Sequence, residues 1–299
     1  MQRNFICLIN PISGTKNKSG VLKIIENKLS AARYPFQLIH TNKEADYFYL
    51  KEKIKTESIT DIIICGGDGS VSQVTGSLLG EAVAFGIIPM GSGNGLARTA
   101  GIPSNAAKAI DIILAGKSTL IDAFYINKKF SCMLAGLGMD AQVAHDFAKQ
   151  STRGLSTYIK QTILGFFNAP AFPFKITIGE KTLSTEAYFL SIANSNQFGN
   201  NVTIAPQASL SDGLLDIVVV NKMNKASMIY NVLKHIKFGK PISFTKTQET
   251  KKEVMYFQTD HLTITNVGNA PLHIDGEPEV TSKHFEIKIV EKAFRLLMP

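Results

Sequence analysis

Apolar residues fall in short runs that alternate with helix-period segments through the first ~125 residues. The runs at 5–10, 37–41, 61–65 and 84–89 have strand length, and 61–65 is a nearly unbroken β-branched stretch. Between them, 21–29, 47–54 and 71–79 carry apolar residues at helical spacing. This β-α-β-α order predicts a parallel sheet with helices on both faces. Such sheets bind ligands beyond the carboxyl ends of their strands. The Gly-rich turns of this half lie there, each directly after a strand.

After Tyr125 the pattern changes to short strands at 130–135, 175–178, 188–193, 215–220, 254–259, 262–265 and 272–275, separated by turn residues such as Gly179-Glu180 and Val267-Gly268-Asn269. That half predicts an antiparallel sandwich or barrel, interrupted by helical stretches at 154–167 and 226–237. We therefore expect an α/β nucleotide-type domain over 1–125 and a β domain over 126–284, with the segment 285–299 returning to the first.

Three turns carry the chemistry. Cys65-Gly66-Gly67-Asp68-Gly69-Ser70 joins a strand to a helix, and its glycines let the backbone approach a ligand closely. The helix that follows points its first N–H groups at the same place, which favours a phosphate. Asp68 is the anomaly, since a carboxylate repels an anion unless a cation such as Mg²⁺ bridges them. Pro89-Met90-Gly91-Ser92-Gly93-Asn94-Gly95 and Asn10-Pro11-Ile12-Ser13-Gly14 follow their strands in the same way, with Asn94 or Ser92 expected to cap the next helix. Each turn alone could be an ordinary tight turn. Three on successive parallel strands point to a nucleotide site. None is a Walker A or a dinucleotide fingerprint.

Composition narrows the class. With 44% hydrophobic and 19% charged residues the chain is globular. Cys7, Cys65 and Cys132 are scattered and odd in number, which argues against a disulfide framework or a zinc site and for a reducing, cytoplasmic compartment. The apolar run 5–9 is too short for a signal-peptide core, and no stretch has the ~20 apolar residues of a membrane span. The formal net charge of +8 favours anionic partners. Nucleic acid has only that charge in its favour.

Taken together, G-G-D-G-S at Gly66–Ser70 and P-M-G-S-G-N-G-L-A-R at Pro89–Arg98 resemble the catalytic domain shared by diacylglycerol kinases, sphingosine and ceramide kinases and small bacterial lipid kinases. Asn10–Gly14, the segment from Ala205-Pro206 to Asp212-Gly213-Leu214-Leu215-Asp216, and Asp275-Gly276-Glu277 match the same family in order. The resemblance implies an N-terminal domain similar to that of NAD kinases and phosphofructokinases, a C-terminal antiparallel β-sandwich, and an active site between them. It also implies transfer of the ATP γ-phosphate to a hydroxyl of a membrane lipid.

By that resemblance the ATP phosphates lie on Gly66, Gly67, Asp68, Gly69, Ser70, Gly91, Ser92, Gly93 and Asn94, with Asn10, Pro11, Ser13, Gly14 and Thr41 beside them. Glu277 matches the general base, with Asp275 and Asp68 as competitors. A structural Mg²⁺ would be held by Asp212 and the carbonyls of Ser209 and Leu214, and Asp122 matches a carboxylate in the metal and water network around Asp68. Asn94-Gly95 replaces the Asn-Asp common in diacylglycerol kinases, and 197–201 departs from a run usually richer in glycine, so the lipid stays open. Basic amphipathic stretches at 154–174 and 225–240 suit transient contact with an anionic membrane, or simply a packed helix with a solvated face. A homodimer is a further expected partner state. The rival readings are an NAD kinase-like enzyme and a non-catalytic binding module on the same fold. His273, two residues before Asp275, reads as structural.

Overall fold

The computed structural model describes residues 2–11, 13–14, 18–41, 46–142, 170–199, 202–224, 227–228, 230–231, 234 and 253–299. The first half is the expected alternation. It runs β1 (Phe5–Ile9), α1 (Lys18–Ala31), β2 (Phe36–His40), α2 (Leu50–Thr56), β3 (Asp61–Gly66), α3 (Asp68–Ser77), β4 (Ala84–Pro89), α4 (Gly95–Thr99) and α5 (Ala106–Ala115). Strands β2, β1, β3 and β4 pair in parallel in that order. β1 and β3 are buried at every position, which is why their sequences show no polar alternation. Helix α3 begins three residues earlier than its apolar period suggests, because Gly67 serves as its N-cap and the glycine turn leads straight into the first helical turn.

The second half is antiparallel: β5 (Ser118–Ile126), β6 (Lys129–Ser131), β7 (Leu134–Gly138), β8 (Phe172–Ile178), β9 (Lys181–Ala193), β10 (Gln197–Gly199), β11 (Val202–Thr203), β12 (Leu215–Asn221), β13 (Val254–Thr259), β14 (His261–Asn266), β15 (Leu272–Ile274), β16 (Glu277–Glu279) and β17 (His284–Leu297). Its inner faces enclose a separate apolar cluster that includes Phe124, Leu137, Phe174, Leu190, Ile217 and Phe257. The amphipathic stretch at 154–174 lies outside the described residues up to 169, and its end is not helical, because Phe172 already opens β8. Most of 225–240 likewise lies outside them.

β17 ties the halves together. Its first part pairs antiparallel with β14, and it pairs with β5 along most of its length. Its end runs parallel to β4, with Arg295 opposite Ala84 and Leu296 opposite Phe85. One strand thus continues the parallel sheet and borders the sandwich, so the two halves share one continuous element. No described helix is long and apolar enough to cross a membrane.

Candidate active site

The three glycine turns touch. A Cβ on Gly91 would stand 2.6 Å from Gly67 Cα, and one on Gly14 would stand 1.9 Å from the Met90 carbonyl oxygen. Gly14 also holds a left-handed φ of +58°, so glycine is required there twice over. Asn10 Nδ2 donates to Ser70 Oγ at 2.8 Å, which links the first turn to the second. Ser13 Oγ folds back onto the Asn10 carbonyl at 3.2 Å. Thr41, at the end of β2, donates its N–H to the Ile9 carbonyl at 2.9 Å and completes the row of strand ends.

The third turn is shaped by Asn94. Its Oδ1 accepts from Gly91 N at 2.9 Å and its Nδ2 donates to Gly91 O at 2.7 Å, while its own φ is +52°. Asn94 therefore stands at the N-cap position of α4 without capping it by side chain. The cap comes from elsewhere: Asp68 Oδ2 accepts from Gly95 N at 2.9 Å and Oδ1 from Leu96 N at 3.1 Å. Asp68, whose charge at an anion-type turn calls for a compensating partner, finds donors in these N–H groups. The free N–H groups of α4 partly satisfy it, as helix N-termini do for carboxylates. Burial still pushes its pKa up to about 6, against the pull of those hydrogen bonds and with a smaller push from Asp275.

Asp275 and Glu277 share one hairpin yet differ completely in surroundings. Asp275 and Gly276 both take left-handed φ, +51° and +82°, which is the sign pattern of a two-residue type I′ turn and explains the Asp-Gly pair. The Asp275 carboxylate is buried and pairs with Ser72 Oγ, with Ser131 Oγ at 2.8 Å, and with the N–H groups of Met133 at 3.2 Å and Leu134 at 3.0 Å. It pins α3, β6 and β7 to the hairpin, and burial raises its pKa. Glu277 is exposed, and its side chain stands against Gly69: a Cβ there would lie 3.2 Å from Glu277 Cγ and 3.5 Å from Oε1. The anchors Ser72 and Ser131 were not legible in the sequence, because nothing local marks a serine as the partner of a residue some 200 or 140 positions away.

Asp122 sits with the Asp212 turn. Its Oδ2 accepts from Gly213 N at 2.8 Å and its Oδ1 from Lys292 N at 2.7 Å, so it clamps that turn between β5 and β17. Asp212 Oδ1 accepts from Leu214 N at 3.1 Å, and Ser209 Oγ accepts from Ser211 N at 3.4 Å. Burial raises the Asp212 pKa, and the nearby Asp122 charge adds to it. Among the described residues no cluster of three His, Cys, Asp or Glu side chains could hold a metal, so any cation at these turns would depend on carbonyl, water or ligand oxygens. Thr99 Oγ1 donates to Asn196 Oδ1 at 2.9 Å, a further contact between the halves that the sequence did not announce.

Comparison with known proteins agrees with this architecture. Residues 4–126 match the diacylglycerol kinase catalytic domain, and residues 134–298 match the YegS C-terminal NAD kinase beta sandwich-like domain. The chain is 27% identical over 287 residues to a diacylglycerol kinase of Staphylococcus epidermidis, covering 93% of this chain and 86% of that one. It is also 27% identical over 287 residues to a diacylglycerol kinase of Staphylococcus aureus, covering 93% and 87%. The crystal structure of a diacylglycerol kinase from Bacillus anthracis superposes with a TM-score of 0.73 at 21% identity, over 99% of this chain and 97% of that one, which speaks for the fold. With both of its domains matched in order, this chain belongs to the diacylglycerol kinase catalytic-domain family of lipid kinases, in the form that carries a NAD kinase-like β-sandwich.

Proposed function

We propose that the chain transfers the γ-phosphate of ATP to a hydroxyl of a diacylglycerol-like or sphingoid-base-like membrane lipid, in the cleft where the glycine turns meet the Asp275-Gly276 hairpin. The observation that carries this reading is Glu277, an exposed carboxylate set against Gly69 of the phosphate-type turn. A base needs to be within reach of the reacting hydroxyl while the phosphates are held beside it. Asp275 is a poorer base, since its lone pairs are spent on Ser72, Ser131, Met133 and Leu134. Asp68 is held by α4 and suits organisation of charge better than proton transfer.

The residues present fit a nucleotide. Gly67 and Gly91 leave no room for side chains where their backbones meet, so N–H groups and α3's N-terminus remain for phosphate oxygens. They also fit Mg²⁺ at two places. Each Asp68 carboxylate oxygen keeps a lone pair beyond its bond to α4, and the cation would neutralise charge on the phosphates. Asp212, with the carbonyls of Ser209 and Leu214, would hold a structural ion, which would relieve the repulsion between Asp212 and Asp122. Glu277 takes the hydroxyl proton, the glycine turns orient the phosphates, and the second domain shields the site from water. The basic surface suits transient docking from the cytoplasmic side of an anionic membrane, as a peripheral enzyme.

The test is incubation of the purified chain with Mg²⁺ and γ-labelled ATP over lipids in mixed micelles, with NAD as a soluble competitor acceptor. Label in one lipid, slowed about 10²- to 10⁴-fold by Glu277→Ala, is the expected result. Label in NAD would instead make the chain an NAD kinase-like enzyme, and ATP binding without transfer to any acceptor would leave a binding module.

A further inference from the structure

The surroundings of His273 give it a specific task within the structure. It lies on β15, opposite Gly136 of β7 and Pro278 of β16, and is 3% exposed. Its Nδ1 accepts a hydrogen bond from Gly276 N at 3.3 Å. A ring nitrogen that accepts carries no hydrogen, so the neutral ring bears its proton on Nε2. Nε2 faces Asp140 Oδ2 at 3.4 Å, and the other Asp140 oxygen is fixed by Ala141 N at 2.8 Å. The pair fits only because position 136 is glycine: a Cβ there would stand 1.9 Å from Asp140 Oδ2 and 2.5 Å from His273 Nε2.

A largely buried carboxylate–imidazole pair costs desolvation, which its hydrogen bonds offset. Among the described residues, the ring's side-chain contacts lead to Asp140 on one side and to Gly276 on the other. Gly276 directly precedes Glu277. Asp275 fixes the turn from the α3 side through its carboxylate, and His273 fixes it from the β7 side through the next N–H. A hairpin held at both central residues has little freedom left, so these two contacts restrict the direction in which Glu277 enters β16.

We propose that His273, oriented by Asp140, is a positioning residue for phosphoryl transfer: its Nδ1 holds the Gly276 N–H and thereby aims Glu277 at the acceptor hydroxyl. This rests on the reading of Glu277 as the base. An orientation error of this kind lowers turnover without weakening nucleotide binding, because the phosphate turns are untouched.

The experiment uses the full chain with His273→Asn, His273→Gln and His273→Ala, alone and combined with Glu277→Ala. Asn places an amide oxygen near the position of Nδ1, whereas Gln places its amide near Nε2. The readouts are kcat and KM for ATP with diacylglycerol in mixed micelles, and hydrogen exchange at the Gly276 amide. Asn is expected to keep kcat within about threefold, while Gln and Ala lower it roughly 10- to 100-fold with KM for ATP unchanged. Exchange at Gly276 should quicken in Gln and Ala but not in Asn. In the Glu277→Ala background, His273→Ala should cost no more than about twofold further. Equal losses in all three variants, an additive loss in the double variant, or full activity in His273→Ala would overturn the proposal. If Glu277→Ala alone keeps full kcat, the base assignment falls and the catalytic part of the proposal with it. The Gly276 exchange rate then shows separately whether His273 holds the turn. Should His273→Ala fail to fold, the contrast between Asn and Gln decides.

Discussion

Glu277 stands against Gly69, close enough that a Cβ on the glycine would come within 3.2 Å of Glu277 Cγ. Two residues 208 positions apart, one opening the second strand of a hairpin and the other in the first turn of a helix, thus bring the carboxylate of one domain onto the phosphate-type turn of the other. The substitution Glu277→Gln keeps the shape and removes the proposed base. It should lower kcat by about 10²- to 10⁴-fold while leaving ATP affinity nearly unchanged, as read by initial rates beside equilibrium nucleotide binding. Equal loss of both would mean that Glu277 binds nucleotide and does not take the proton.

Contact between the glycine turns predicts a different signature. Gly91→Ala puts a methyl 2.6 Å from Gly67 Cα, a backbone atom that cannot swing aside. The turns must separate, and ATP affinity should fall tenfold or more, on the order of 1.4 kcal/mol, with the fold retained. Gly14→Ala is harsher, since it meets the Met90 carbonyl at 1.9 Å and a left-handed φ as well. It should cost on the order of 1–3 kcal/mol of stability in addition to affinity. Calorimetric titration and urea unfolding of the two variants separate these effects.

Asp275 should behave as a structural residue. Its removal takes the acceptor from the Ser131 hydroxyl and from the N–H groups of Met133 and Leu134, while Ser72 keeps its contacts with Cys132. Asp275→Ala is expected to destabilise by about 1–3 kcal/mol for each buried donor it leaves unpaired, and Ser131→Ala by about 1–3 kcal/mol, both seen as shifted urea midpoints. An Asp275→Ala protein of undiminished stability and no activity would instead return it to the list of catalytic candidates.

The raised pKa of Asp68 makes stability depend on pH in a definite direction. Its folded value is about 6 against an ordinary 3.8, so between these values the folded chain holds a proton that the unfolded chain releases. Its contribution to stability is therefore largest at low pH and declines as pH rises toward 6. Asp216, buried and also pushed up to about 6, acts in the same sense. In Asp68→Asn this decline should be shallower than in the parent chain when melting temperature is followed from pH 4 to pH 7. Identical slopes would show that α4 stabilises the ionised carboxylate more fully than its burial opposes it.

What was legible in the sequence was whatever depends on neighbours along the chain. The parallel strands could be read because β1 and β3 are buried on both faces and therefore uniformly apolar. The three turns could be read because close backbone approach requires glycine at fixed offsets from a strand end. The Asp275-Gly276 hairpin also has a local signature, since a type I′ turn selects that pair. Yet Asp275 and Glu277 look alike as letters, and so do Asp68, Asp122 and Asp212. What each carboxylate does is decided by groups far away in sequence: Ser72 and Ser131 for Asp275, the N–H groups of α4 for Asp68, Lys292 for Asp122. A carboxylate's availability is set by how many donors reach its lone pairs and how much water is excluded around it. Those quantities exist only once β17 has joined the two halves. The chain's order of residues determined that glycine turns would follow the parallel strands, and tertiary packing decided which acid beside them stays exposed.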